Sequence, residues 1–267
     1  MLHGVPVLLY HGLLAATSRR SDPLSPWTAW RESRYWLPAE SLRAQLGEIR
    51  RLRLRQVLLR ELLDQQHPSA CAAISFDDGR DSDYTLAFPL LTEFGSRATF
   101  FVNTATVGAK GYLTWQEIAD MHRSGMSVES HGDQHCYLTR LSKDELLRQI
   151  RRSRQVLEDR LGCRIRLLAL PYGDSNAVVC RIALEEGYEG ICTSRSWPAT
   201  PGRRLIPRIC VYAGTSKAQF LRLITLNPLG FLPRAIREGA LFIPKRLTAR
   251  LRAARRQTDP AECLTNG

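Results

Sequence analysis

Ile74-Ser75-Phe76-Asp77-Asp78-Gly79 is an apolar run that breaks into two adjacent carboxylates and a glycine. A sheet interior does not hold two unpaired charges, so the pair belongs where a strand ends. Ala72, Ala73, Ile74 and Phe76 predict a short buried strand, and Gly79 permits a sharp turn just past its carboxyl end. Strand ends of that kind are where α/β folds place their chemistry. Adjacent acids are costly unless a cation or a shared proton separates their roles, so the pair implies a metal or an acid/base dyad; a solvated Asp-Asp-Gly turn is the alternative.

Around this stretch, short apolar runs alternate with amphipathic ones. Residues 6–10 predict a strand with His11-Gly12 at its end, which sets the imidazole on the same rim as the Asp pair if the strands are parallel. Taken alone, such a histidine reads as a structural hydrogen-bonding residue. Residues 17–38 read as a long loop whose Trp27, Trp30, Tyr35 and Trp36 line a groove or cover the core, with core packing favoured. Leu42, Leu46, Ile49 and Leu52 give residues 40–54 the spacing of an outer helix, and 57–63 predict a strand and a short helical turn. Helices are expected over 84–94, closed by Gly95, and over 115–124, closed by Gly125; strands are expected over 98–102 and 126–129. The clearest helix is 141–161, with Ser142 and Glu145 as a capping box and Gly162 as its stop. A strand over 166–170, a helix over 177–186 and strands over 190–193 and 206–211 complete the pattern. This alternation predicts an α/β fold, and a barrel rather than an open sheet, because no dinucleotide-type glycine fingerprint follows any strand.

With 44% hydrophobic residues, the 267-residue chain can bury a substantial core. No apolar run approaches the roughly 20 residues that a spanning helix needs. The first residues lack the basic start and small-residue cleavage site of a signal peptide, so a cytosolic protein is expected. Seven scattered cysteines without a Cys-x-x-Cys pair fit reduced thiols better than disulfides or a structural zinc. The net charge of +12 is uneven: residues 217–256 hold ten Lys or Arg against one acid, Glu238. That segment mixes its charge with apolar side chains, which suits either docking on an anionic membrane surface or packing on the barrel. Nucleic acid is not expected, since no recognised binding motif accompanies the charge.

His131 and His135 supply the second chemical signal. Four-residue spacing lets two imidazoles converge on one divalent ion, although the spacing also arises by chance. Gly132 stands where a zinc peptidase would carry its glutamate base, so the base must come from elsewhere. Two imidazoles with one strand-end carboxylate make a facial set for zinc or a similar ion, leaving the second carboxylate free for proton transfer.

Phe76-Asp77-Asp78-Gly79, the segment from Ser130-His131 to His135 followed by Leu138-Thr139-Arg140-Leu141-Ser142, and Pro171-Tyr172-Gly173 resemble, in order, three motifs of the polysaccharide deacetylases of the NodB-homology type (carbohydrate esterase family 4-like). Ala98-Thr99-Phe100-Phe101-Val102 fits the same pattern, and the resemblance runs over residues 6–215. It implies a distorted (β/α) barrel of about seven strands over 1–216, a basic and partly amphipathic extension over 217–267, and metal-dependent removal of an N-acetyl group from an amino sugar. The implied substrate is an N-acetylated glycan or, given the basic extension, a lipid-linked saccharide; acetyl and formyl both remain open as the group removed, and a catalytically silent carbohydrate- or membrane-binding relative is the alternative.

By the same resemblance, Asp77 matches the general base, and Asp78, His131 and His135 match the ligands of a divalent metal, Zn2+ first and Co2+ or Ni2+ as alternatives. The Tyr172 backbone N–H matches an oxyanion donor, with Pro171, Tyr172 and Trp115 lining the substrate. Two departures stand out. No histidine follows His135, where most members carry their catalytic acid, and Ala169 replaces a common arginine. Pro6-Val7-Leu8-Leu9-Tyr10-His11 is similar to a permuted branch, which includes poly-N-acetylglucosamine deacetylases, with its acid histidine near the N-terminus. His11 is therefore the expected acid, and Arg208, in Leu205-Ile206-Pro207-Arg208-Ile209, the expected partner that orients Asp77.

Overall fold

In the computed structural model, which describes residues 2–15, 33–64 and 70–231, every strand pairing of the main sheet is parallel. Its staves are β1 (Val7–Tyr10), β5 (Cys71–Phe76), β6 (Thr99–Val102), β7 (Ser127–Ser130), β8 (Leu167–Ala169), β9 (Gly190–Thr193), β10 (Leu205–Pro207) and β11 (Ile209–Cys210). A short β4 (Arg55–Val57) flanks the first half of β5, and β2 (Leu13–Leu14) pairs with β3 (Leu37–Pro38) apart from the main sheet. The strand order is β10-β9-β8-β7-β6-β5-β1-β11. Only Arg208 separates β10, which pairs with β9, from β11, which pairs with β1. One broken strand therefore joins the two ends of the sheet, and the result is the distorted, nearly closed barrel of seven staves that the sequence predicts.

Helices α1 (Ala39–Arg51), α2 (Phe88–Glu93), α3 (Trp115–Arg123), α4 (Lys143–Leu161), α5 (Ala177–Glu185) and α6 (Lys217–Ile224) surround it. The strands are buried on both faces, and period-two alternation sorts their side chains. Val7, Ala73, Phe101, Leu167, Ala169, Cys192 and Ile206 fill the barrel. Their neighbours Leu8, Ile74, Phe100 and Leu168 face outward to meet Leu46, Ile118, Ile150 and Ile182 of the helices. The inward series continues past Ala73 to Ser75 and Asp77, so the barrel interior turns polar at the strands' carboxyl end.

Helix α4 carries the expected capping box: the Ser142 hydroxyl accepts from the Glu145 N–H, and the Glu145 carboxylate accepts from the Ser142 N–H at 3.1 Å. Ser142→Ala is expected to cost about 1 kcal/mol of stability, read as a lower denaturation midpoint with an unchanged denaturant slope. The helix expected over 84–94 is split instead. Asp83–Ala87 forms a wider π turn and α2 follows, because Pro89 has no N–H for the regular ladder and its ring crowds the preceding turn.

The extension expected from residue 217 begins with α6. Phe220, Leu223 and Ile224 give α6 an apolar stripe against the barrel and α1, and Lys217 pairs with Glu48. The chain packs on the barrel through Phe231; the rest of the basic segment, 232–267, lies outside the described residues. Trp27 and Trp30 also lie outside them, whereas Tyr35 rests on His11 and Trp36 on Gly12, at the rim of the site rather than in the core. The six cysteines among the described residues are free thiols, and no described helix is long and apolar enough to cross a membrane.

Glu129, inside the barrel on β7, is 1% exposed, and its carboxylate accepts from the N–H groups of Arg166 and Leu167 at 2.8 Å. Burial outweighs these bonds and raises its pKa to about 7. A carboxyl raised on folding favours the fold below its unfolded pKa, and that contribution fades as pH climbs through the folded value. Glu129→Gln should therefore stabilise the protein at pH 8 by about 1–3 kcal/mol and change it little at pH 4, as measured by thermal unfolding.

Candidate active site

Asp77 follows β5 directly and is 2% exposed, with its N–H donating to the Tyr10 carbonyl at 3.0 Å. A carboxylate so deep needs a counter-charge, and Arg208 supplies it from the break between β10 and β11. Its guanidinium forks onto both carboxylate oxygens, at 2.6 and 2.8 Å, and also donates to the Thr193 carbonyl and the Ser75 hydroxyl at 3.3 and 3.4 Å. Arg208 is itself fully buried and stacks over Phe101, 4.9 Å from the ring centre. Burial alone would raise the pKa of Asp77, but the charge of Arg208, aided by His131, outweighs it and holds the carboxylate below its ordinary range.

Asp78 takes a left-handed backbone, φ 78°, which turns its side chain away from that of Asp77. Its Oδ1 lies 3.4 Å from Nε2 of His131 and 3.3 Å from Nε2 of His135, yet makes no hydrogen bond with either. The three atoms lie within 4.8 Å of one another. Tetrahedral zinc with ligands at about 2.1 Å spaces them by about 3.4 Å, so these donors converge on a point that fits a divalent ion. Nδ1 of His131 lies 2.9 Å from the Ala169 carbonyl, an acceptor only, so that nitrogen holds the proton and Nε2 turns its lone pair to the cluster. Asn103 fixes the same segment by donating to the His131 carbonyl at 2.6 Å.

The two imidazoles differ electrostatically. Burial opposes the charge on His131, but Asp77 and Asp78 raise its pKa overall; His135, partly exposed, is lowered to about 4 by burial and by the neighbouring His131. His11 follows β1 as expected, with its ring 4.6 Å from that of Tyr35 and its Nδ1 buried without a hydrogen-bond partner. Burial lowers its pKa, while Asp78 and Asp77 pull the other way.

Pro171 is buried and Tyr172 is 54% exposed, its backbone left-handed at φ 60°. The Tyr172 ring packs on His135 at 4.4 Å, and its hydroxyl donates to the His135 carbonyl at 3.4 Å. Trp115 opens α3, packs against the helical layer and carries Arg160 over its ring at 5.2 Å.

Sequence reasoning missed three neighbours. Arg80 reaches the free oxygen of Asp78 at 3.5 Å and lies over Tyr112. Asp83 is buried near the pair, and desolvation and the Asp78 charge raise its pKa well above the carboxylate range. Tyr137 stacks on Tyr172 at 4.1 Å. Arg80 and Asp83 stand two and five residues beyond Asp78, and Tyr137 two beyond His135, a proximity that was the available signal.

Residues 64–191 match the family model described as polysaccharide deacetylase. Over that stretch, just under half of its length, the chain is similar to the polysaccharide deacetylases. The match contains Asp77, Asp78, His131, His135 and the Pro171-Tyr172-Gly173 turn, whereas His11 and Arg208 lie outside it. The chain is also similar to the peptidoglycan-N-acetylglucosamine deacetylase of Bacillus cereus, 32% identical over 136 residues that make up 49% of this chain and 61% of that one. Among solved structures, the Streptococcus pyogenes deacetylase PplD in complex with acetate aligns with a TM-score of 0.73 and 22% identity over 83% of this chain and 98% of its own. IcaB from Ammonifex degensii aligns with a TM-score of 0.70 and 24% identity, covering 83% and 96%. At these identities the structures establish the fold alone.

Proposed function

We propose that this protein removes the N-acetyl group from an amino sugar within a glycan, using a divalent ion, zinc first among candidates. One observation carries the reading: Asp78, His131 and His135 converge on a single point beside Asp77, which Arg208 holds ionised. Asp78, His131 and His135 would hold the ion. It would polarise the acyl carbonyl and acidify a bound water.

The remaining steps fall to the chain. Asp77, ionised and fixed in a two-pronged grip, is placed to accept the proton of the attacking water. The N–H of Tyr172, aimed by the left-handed turn, is the candidate donor to the developing oxyanion. His11 faces the same rim and, neutral at rest because burial lowers its pKa, would pass a proton to the departing amine after taking one up during the cycle.

The test is acetate release from N-acetylglucosamine oligomers with zinc, then after chelation, alongside metal content. Release that stops on chelation and returns with zinc supports the reading; undiminished release from metal-free protein would overturn it. His131→Ala removes the ligand that the Ala169 carbonyl orients, and is expected to weaken zinc binding by at least about tenfold in a direct titration.

A further inference from the structure

Two histidines flank the carboxylate pair from different sides of the ring, and each is backed by a stack of tyrosine rings that carries an arginine. On the β1/β11 side Tyr35 packs against His11 and Tyr212, and the guanidinium of Arg34 lies over both tyrosine rings at 4.7 and 5.4 Å. On the β7/β8 side the order is His135, Tyr172, Tyr137 and Arg140, whose guanidinium is 3.9 Å from the Tyr137 centre. The Tyr137 and Tyr172 rings are within 13° of parallel.

These arginines differ from many others on the surface. Arg43, Arg51, Arg97, Arg151 and Arg166 are each tied to a carboxylate. Arg34 and Arg140 are exposed and make no ion pair among the described residues. Asp174, two residues beyond Tyr172, accepts instead from the Thr139 hydroxyl at 2.6 Å. A ring beneath a guanidinium fixes its plane; Arg34 spends one edge donor on the Tyr35 hydroxyl at 2.7 Å, and the remaining donors of the two arginines are the ones left for a bond to an oxyanion. The spacing matters as well. Each cation stands one or two ring thicknesses from a site histidine, so it would meet a group carried beside the reacting sugar and not the acyl group itself.

We propose that the substrate is an anionic saccharide, in which the N-acylated sugar is flanked by a phosphate or carboxylate oxyanion that Arg34 and Arg140 grip. This inference rests on the deacetylase reading above and narrows its substrate class. Tyr35, Tyr137 and Tyr172 form the walls on which sugar rings and guanidinium groups are both held.

The test uses the zinc-loaded full chain and three substrates: a neutral N-acetylglucosamine oligomer, an oligosaccharide in which N-acetylated sugars alternate with uronates, and an N-acetylated sugar linked through a diphosphate to an alkyl chain. One anionic substrate should exceed the neutral one by about tenfold or more in kcat/KM, through KM, and lose that lead as salt rises. Whichever anionic substrate leads identifies the oxyanion. In Arg34→Gln/Arg140→Gln the lead should collapse toward unity, and Arg181→Gln on the outer face of α5 should keep it. Equal rates on neutral and anionic substrates, or a lead that survives in the double variant, would overturn the inference and leave the deacetylase reading standing. Metal-loaded protein that releases acetate from none of the three overturns both.

Discussion

Asp77→Asn is expected to lower acetate release by about 10²–10⁴-fold while zinc content stays at the wild-type level. The amide occupies nearly the same volume and still offers one oxygen to Arg208, but it cannot take a proton from water. None of the three converging ligand atoms belongs to Asp77, so the metal set is intact in the variant. Loss of zinc together with activity would show that Asp77 is a ligand, and near-normal release would remove it from the proton-transfer step. The same substitution leaves Arg208 buried with its positive charge only partly answered, so release is to be compared in protein shown to be folded.

Arg208→Met should have the largest effect on stability, about 3–5 kcal/mol, because it strands a carboxylate that is 2% exposed. The cost should depend on pH in a defined sense. Asp77 is held below its ordinary range in the fold, so the pair contributes fully at neutral pH and loses that contribution as pH falls through the folded value. The gap between wild type and Arg208→Met in urea unfolding should therefore narrow in acid. Combining Asp77→Asn with Arg208→Met should cost less than the two single changes together, since neither charge then remains without its partner. Full additivity would mean that the forked contact contributes little.

What could be read from the residues, and what could not, divides by distance along the chain. Helix α4 is legible because its cap, stripe and stop lie within one segment. The strand ends at Asp77 and His131 are legible for a similar reason: an apolar run stops where polar residues begin. Arg208 is different. Nothing near residue 208 indicates a carboxylate partner, and only likeness to a permuted arrangement suggested one; the contact joins residues 131 apart. The π turn at Asp83 was hidden because an apolar stripe of near-helical period continues through Pro89. Tyr137 was hidden because its significance depends on Tyr172, which a separate strand delivers.

The segment that closes the barrel also carries Arg208, which has a consequence for synthesis. A chain made from its N-terminus can pair β1 with β5 and add each later stave in turn, yet Asp77 lacks its forked guanidinium partner until residue 208 has emerged. The forked Asp77–Arg208 pair therefore forms only when the ring shuts. Shorter nascent chains would hold the cluster of Asp78, His131 and His135 without the gripped carboxylate beside it, so the arrangement of four residues is completed in one step, as the ring closes.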